Sequence, residues 1–225
     1  MPDPPHLLSV GAFGEAVARH LSRSHPELIL TQVVADTVPL PETWPRARIY
    51  IIAAWRPVPH ICELMNQISH EWKRPFIPLI QDSRTLRLGP IVVPGCEGCW
   101  RCWSRRSAQH RSSQNRRGAI LRYYSSNPEV GPKGFLQAFA LMASARLSHT
   151  IYALDSSSAV PGSVWEIDTL SREIKTGKVI GVHGCPYCGL KRAETDRGFA
   201  EMRSALNYLW TGTDSVENNE GENRK

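Results

Sequence analysis

Four cysteines in two C-x2-C pairs constrain this chain more than any other feature. Cys99 and Cys102 lie in Pro94-Gly95-Cys96-Glu97-Gly98-Cys99-Trp100-Arg101-Cys102, and Cys185 and Cys188 lie in His183-Gly184-Cys185-Pro186-Tyr187-Cys188. A tight turn aims two thiolates at one point, and two such turns complete a closed tetrahedral shell around Zn²⁺ at S distances near ~2.3 Å. A closed shell leaves no place for water, so this zinc would be structural. The 83 positions separating Cys102 from Cys185 far exceed the spacing of a compact zinc ribbon. The metal would therefore clip two remote segments together.

Disulfides, a redox C-x-x-C and buried thiols without a role are the competing readings. A redox pair normally opens a helix in a βαβ context, whereas both pairs here sit beside Gly and Pro in turn-like sequence. Zinc is the preferred reading. Cys96 could also pair with Cys99, and is kept as a spare that could replace Cys99 or Cys102. Cys62 falls in a helical pattern and reads as a buried thiol, the usual fate of a free cysteine.

With 225 residues the chain can form one large or two small domains around a real core. Its formal charge of +6 is unevenly placed. Between Glu97 and Glu129 there is no carboxylate, while Arg101, Arg105, Arg106, Arg111, Arg116, Arg117 and Arg122 all fall there. Such a run either attracts a polyanion, an acidic peptide or an acidic partner surface, or is a solvated face. Arg105 and Arg106, beside the first cysteine pair, are the candidate partner contacts. A nucleic-acid role would enlist Trp100 and Trp103, but both flank cysteines and are expected to pack around the metal. Met1-Pro2-Asp3-Pro4-Pro5 lacks the basic start and apolar core of a signal peptide, and no apolar run approaches the ~18 residues of a membrane span. The expectation is a soluble, cytoplasmic protein without a membrane partner, which favours metal over disulfide.

Along the chain, Leu7 to Val10 reads as a strand that turns through Gly11 and Gly14 into a helix from Glu15 to Ser22. Against G-x-G-x-x-G the positions are Ser9, Gly11 and Gly14, so the first glycine is missing. Asp36 follows a second strand, Leu28 to Val34, about where a ribose-binding acid would sit. Gly11, Gly14 and Asp36 are thus a degenerate nucleotide site. A third strand (Arg48 to Ala54), a helix (Val58 to Trp72), a fourth strand (Phe76 to Ile80) and a fifth (Leu88 to Val93) follow. This alternation predicts an α/β fold, a mostly parallel sheet with helices on both faces. Gly134 to Leu154 is the strongest helix, and its few charges predict burial on more than one face. Ser163 to Ile167 and Glu173 to Val182 form a hairpin that returns the second cysteine pair. The expected organisation is a Rossmann-like half (1–95), a zinc-knuckle, helical and hairpin half of the same domain (96–210) and a disordered polar tail (211–225). There is no G-x-S-x-G, and the eight histidines are scattered.

The degenerate glycine loop, Gly89-Pro90-Ile91-Val92-Val93-Pro94-Gly95 leading into Cys99-x2-Cys102, and the distant Gly184-Cys185-Pro186-Tyr187-Cys188 together resemble the E1-like (ThiF-like) fold. Cys99-Trp100-Arg101-Cys102-Trp103-Ser104-Arg105-Arg106 looks particularly like the E1-like cyclodehydratase partner of azole-modified microcin pathways. That family implies a non-catalytic scaffold that presents a ribosomally made precursor peptide to a YcaO-type enzyme. The partner binds and uses ATP to activate backbone amides, so that Cys, Ser or Thr side chains cyclise to azolines. Zinc would be a structural staple, and a homodimer is allowed, since E1-like relatives commonly dimerise. The peptide-recognition winged helix that usually precedes the E1-like part has no room before Leu7, which leaves leader binding to this chain or to another subunit. The alternative is an E1-like adenylyltransferase that activates a peptide or sulfur-carrier C-terminus.

Overall fold

Short strands whose side chains alternate between two faces build one sheet with a core on each face. The computed structural model describes residues 3–34, 36–109, 114–132 and 134–189, with the side chains of 114–117 left aside. Strands β1 (Pro5–Val10), β2 (Ile29–Val33), β3 (Ile49–Ala54), β4 (Phe76–Asp82), β5 (Thr85–Leu88), β6 (Ser163–Asp168) and β7 (Ile174–Lys178) form a single sheet in the order β2-β1-β3-β4-β5-β6-β7. The first four are parallel, and β5, β6 and β7 are joined antiparallel. The expected α/β class is the one observed, with the predicted hairpin as β6 and β7.

The two sheet faces follow from the period-2 alternation of strand side chains. Leu8, Ile52 and Phe76 point to one side, where they meet Ile61 and Met65 of helix α2 (Pro59–Trp72). Leu7, Ile51 and Ile77 point to the other, against Phe13, Val17 and Leu21 of helix α1 (Gly11–Ser24). Each of these fully buried aliphatic side chains contributes roughly 1.5–3 kcal/mol. Strands β1 and β3 are buried along their whole length, β3 with a continuous apolar sequence and β1 with His6 and Ser9 buried among its apolar residues.

Helix α5 (Gln137–Asp155) departs from the expectation of burial on several faces. It packs beside α1 through one stripe, Ala140, Ala143, Ser144, Leu147, Thr150 and Ile151, while Leu141 and Tyr152 stay exposed. Small residues let the two helices approach, so the low charge density marked a close contact rather than encirclement.

Two further expectations change. The fifth strand is Thr85–Leu88, not Leu88 to Val93: Gly89 (φ +102) breaks the ladder, and only Val92 pairs back, with Phe76. The segment from the first cysteine pair onward is helical, as α3 (Trp100–Gln109) and α4 (Gln114–Ser126). Arginine is a good helix former, and the run was read for its charge alone. The expected tail, 211–225, and residues 190–210 lie outside the described residues.

Candidate metal centre and the cleft at the strand ends

Cys99 immediately precedes α3, and Cys102 sits in its first turn. The turn-like setting expected of both pairs gives way to a helix at the first, so local setting does not separate it from a redox motif. What separates them is convergence. Sγ of Cys99 lies 3.7 Å from that of Cys102 and 3.6 Å from that of Cys185, and Cys188 lies 3.4 Å from Cys102 and 3.6 Å from Cys99. All four lie within 4.8 Å of one another and are buried. A disulfide would need ~2.05 Å, whereas a tetrahedron of thiolates at ~2.3 Å from one ion has edges near ~3.8 Å. The four sulfurs can hold such a metal ion.

The protein around them fits a cation as well. Without one, burial pushes the Cys102 thiol up to about 12. Contact with Cys188, together with burial, raises Cys99 too. Four dry thiols do not ionise together unless a positive charge balances them. The backbone N–H of Val182 donates to Cys102 Sγ at 3.2 Å, the kind of contact that steadies a thiolate. Cys96, half-buried, stands outside the cluster, and Cys62 is fully buried in α2, its thiol pushed up to about 12 by desolvation.

Two devices bring the segments together. Gly98 (φ +88) leaves a gap that any side chain would close, since a Cβ there would lie 2.5 Å from the Val179 carbonyl oxygen. Arg106 donates to the Ile180 carbonyl at 2.7 Å and to that of Gly181 at 3.4 Å. Arg106 is thereby engaged with the returning segment, while Arg105 is exposed. Trp100 and Trp103 pack ring to ring at 4.7 Å, with the Arg87 guanidinium 3.7 Å over Trp103, on the metal-facing side of the sheet.

The degenerate nucleotide loop occupies the carboxyl end of the parallel strands, where open α/β sheets bind ligands. Gly14 packs α1 onto the sheet, because a Cβ there would lie 2.3 Å from the Ala53 carbonyl oxygen. Gly11 (φ +67) makes room for something other than phosphate: a Cβ on it would lie 2.4 Å from the Trp55 indole. Trp55 also packs against Gly131. Asp36, the predicted ribose acid, pairs with Arg56, which is 1% exposed and also donates to the carbonyls of Tyr124 and Pro128. Burial raises the Asp36 carboxyl above its ordinary range while Arg56 pulls it down.

These groups border a cleft of about 420 Å³ whose polar walls include Glu15, Asp36, Glu129, Gln32 and Gln81. The structure thus brings Gly11 and Asp36 to one cleft, with Gly14 behind it in the helix. Trp55, Arg56 and Gln81 have no motif to announce them; the one available signal was Trp-Arg placed directly after an apolar strand. Among the described residues, no helix is long and apolar enough to cross a membrane.

A sheet of four parallel strands continued by three antiparallel ones is a fold that solved structures share. The heterocyclase TruD superposes with a TM-score of 0.60 at 16% identity, over 84% of this chain and 28% of that one. MccB of E. coli gives 0.58 at 15% identity over 83% and 65%, and its ATP-bound structure gives 0.57 at 14% over 83% and 67%. The chain therefore has the fold of part of these proteins and spans less than two thirds of the first two. No protein-family model matches the sequence. No curated protein sequence matches it either.

Proposed function

We propose that this chain is a non-catalytic subunit that engages a YcaO-type, ATP-dependent cyclodehydratase and its ribosomal precursor peptide in azoline and azole biosynthesis. Cys99, Cys102, Cys185 and Cys188 hold a structural zinc, and the partner binds the ATP. The observation that carries the reading is the fold shared with a heterocyclase, combined with the state of the strand-end cleft. Adenylation needs a phosphate cradle and cationic clamps. Here Trp55 lies against the glycine turn, and Arg56 is tied to Asp36. The experiment is reconstitution: ATP turnover should require the partner enzyme and peptide and should rise severalfold when this chain is added. Absence of any stimulation would refute the reading.

One observation favours an adenylyltransferase instead, namely the larger share of MccB, an ATP-binding protein, that the chain matches. ATP–pyrophosphate exchange by the isolated chain would establish that alternative.

A further inference from the structure

We infer that the strand-end cleft binds a guanidinium, an arginine side chain of a peptide, in place of a nucleotide. Among the described residues that line it are three carboxylates, Glu15, Asp36 and Glu129, and Asp36 is paired with the buried Arg56 behind it. The N-terminus of α1 also faces the cleft, but a helix end contributes only about half a positive charge. Among the described lining residues carboxylates prevail, which disfavours a triphosphate and favours a cation.

The second observation is independent of charge. Gln81, at the carboxyl end of β4, is 7% exposed and lines the cleft, and its Oε1 has no hydrogen-bond partner. A buried acceptor left without a donor costs roughly 1–3 kcal/mol, and a ligand that brings N–H groups would recover that. Glu15 accepts from Gln32 Nε2 at 2.6 Å and Asp36 from Arg56, while Gln81 Oε1 is the acceptor left open.

The occupant is not a simple metal ion. Among the described residues, the only group of three or more metal-capable side chains that converges is the four cysteines. Glu15, Asp36 and Glu129 are spread around the cleft, which suits a planar cation with five diverging N–H donors. Apolar walls complete the match, with the partly exposed Trp55 and Phe135 able to take the methylene stem and the face of the guanidinium. This inference stands apart from the partner enzyme, and the experiment uses the full chain alone.

The zinc-loaded protein is titrated with N-acetyl-arginine methylamide, with the uncharged isostere N-acetyl-citrulline methylamide and with Mg-ATP. Binding is followed by calorimetry and by the NMR shift of the Trp55 indole N–H. The expected result is saturable binding of the arginine amide, at least tenfold tighter than the citrulline amide, with the Trp55 signal moving and ATP silent. The double variant Glu15→Gln, Glu129→Gln should weaken it at least tenfold; both residues are exposed, so the fold is spared. Gln81→Leu should weaken it severalfold. Equal binding of the citrulline amide, an unaffected double variant, no arginine binding, or ATP moving the Trp55 signal would each overturn the inference.

Discussion

Replacing Cys185 by Ser removes one of four convergent sulfurs and tests whether the cluster holds the fold together. Its Sγ sits 3.6 Å from that of Cys99 across 86 positions of chain. Beyond β7, the eleven residues from Val179 to Gly189 lie outside any strand or helix, and ordering them costs on the order of 1 kcal/mol each, about 11 in all. Burial of Val179 recovers ~2 kcal/mol. The Arg106 contacts to Ile180 and Gly181 and the Val182 contact to Cys102 add about 1 kcal/mol each. Burial of Cys185 and Cys188, the Val179 N–H bond to the Gly162 carbonyl and the stacking of Tyr187 on His70 add to these, and an ion present at a thousandfold its Kd supplies about 4 kcal/mol more. Loss of about 4 kcal/mol in a domain of this size lowers Tm by roughly 8–16 °C. Elemental analysis should read one zinc per chain in the parent and none in Cys185→Ser. Hydrogen exchange should quicken first in 179–189, while β1 to β4 stay protected. Cys96→Ser should change none of these. An unchanged metal content and Tm in Cys185→Ser, or a loss of zinc in Cys96→Ser, would refute the assignment.

Acid should weaken the fold through His6. Burial holds this imidazole at about 4, below the ordinary 6.5, with Trp44 and Tyr50 around it and Thr31 Oγ1 2.8 Å from Nε2. As pH falls from 6.5 toward 4 the unfolded chain takes up a proton that the folded chain refuses. Stability is therefore intact above 6.5 and is lost through that window. The full shift is worth roughly 3 kcal/mol, which solvent screening reduces to about 2; chemical denaturation from pH 7 to 4 should show this slope in the parent and not in His6→Gln. Arg106→Glu should cost about 1–3 kcal/mol and weaken metal retention, because it removes charged donors from two carbonyls. Arg105→Glu should shift stability by less than ~0.5 kcal/mol and is the variant with which to measure partner docking by pull-down. Gly11→Ala should destabilise by about 1–2 kcal/mol from its left-handed φ, plus a clash with the Trp55 indole that Trp55→Ala relieves; additive losses in the double-mutant cycle would refute that contact.

The parts of this molecule legible in the sequence are those set by local periodicity and short spacing. β3 announces itself because a strand buried on both faces is apolar throughout, β1 because a short apolar run leads into a glycine turn, and the two C-x2-C pairs because a turn can aim two thiolates at one point. The fifth strand was misplaced because Leu88 to Val93 is apolar for another reason. Gly89 turns it out of the ladder, and Ile91 and Val92 are buried as loop. The same limit governs the cleft. Gly11 and Gly14 pointed to the correct end of the sheet, since the geometry that places a glycine there is local. What borders the space is decided by Trp55, Gln81 and Glu129, which come from three separate segments. A glycine turn therefore reports that something comes close, without saying what. In this chain an indole lies against it, and Glu15, Asp36 and Glu129 are among the residues that border the cleft beside it.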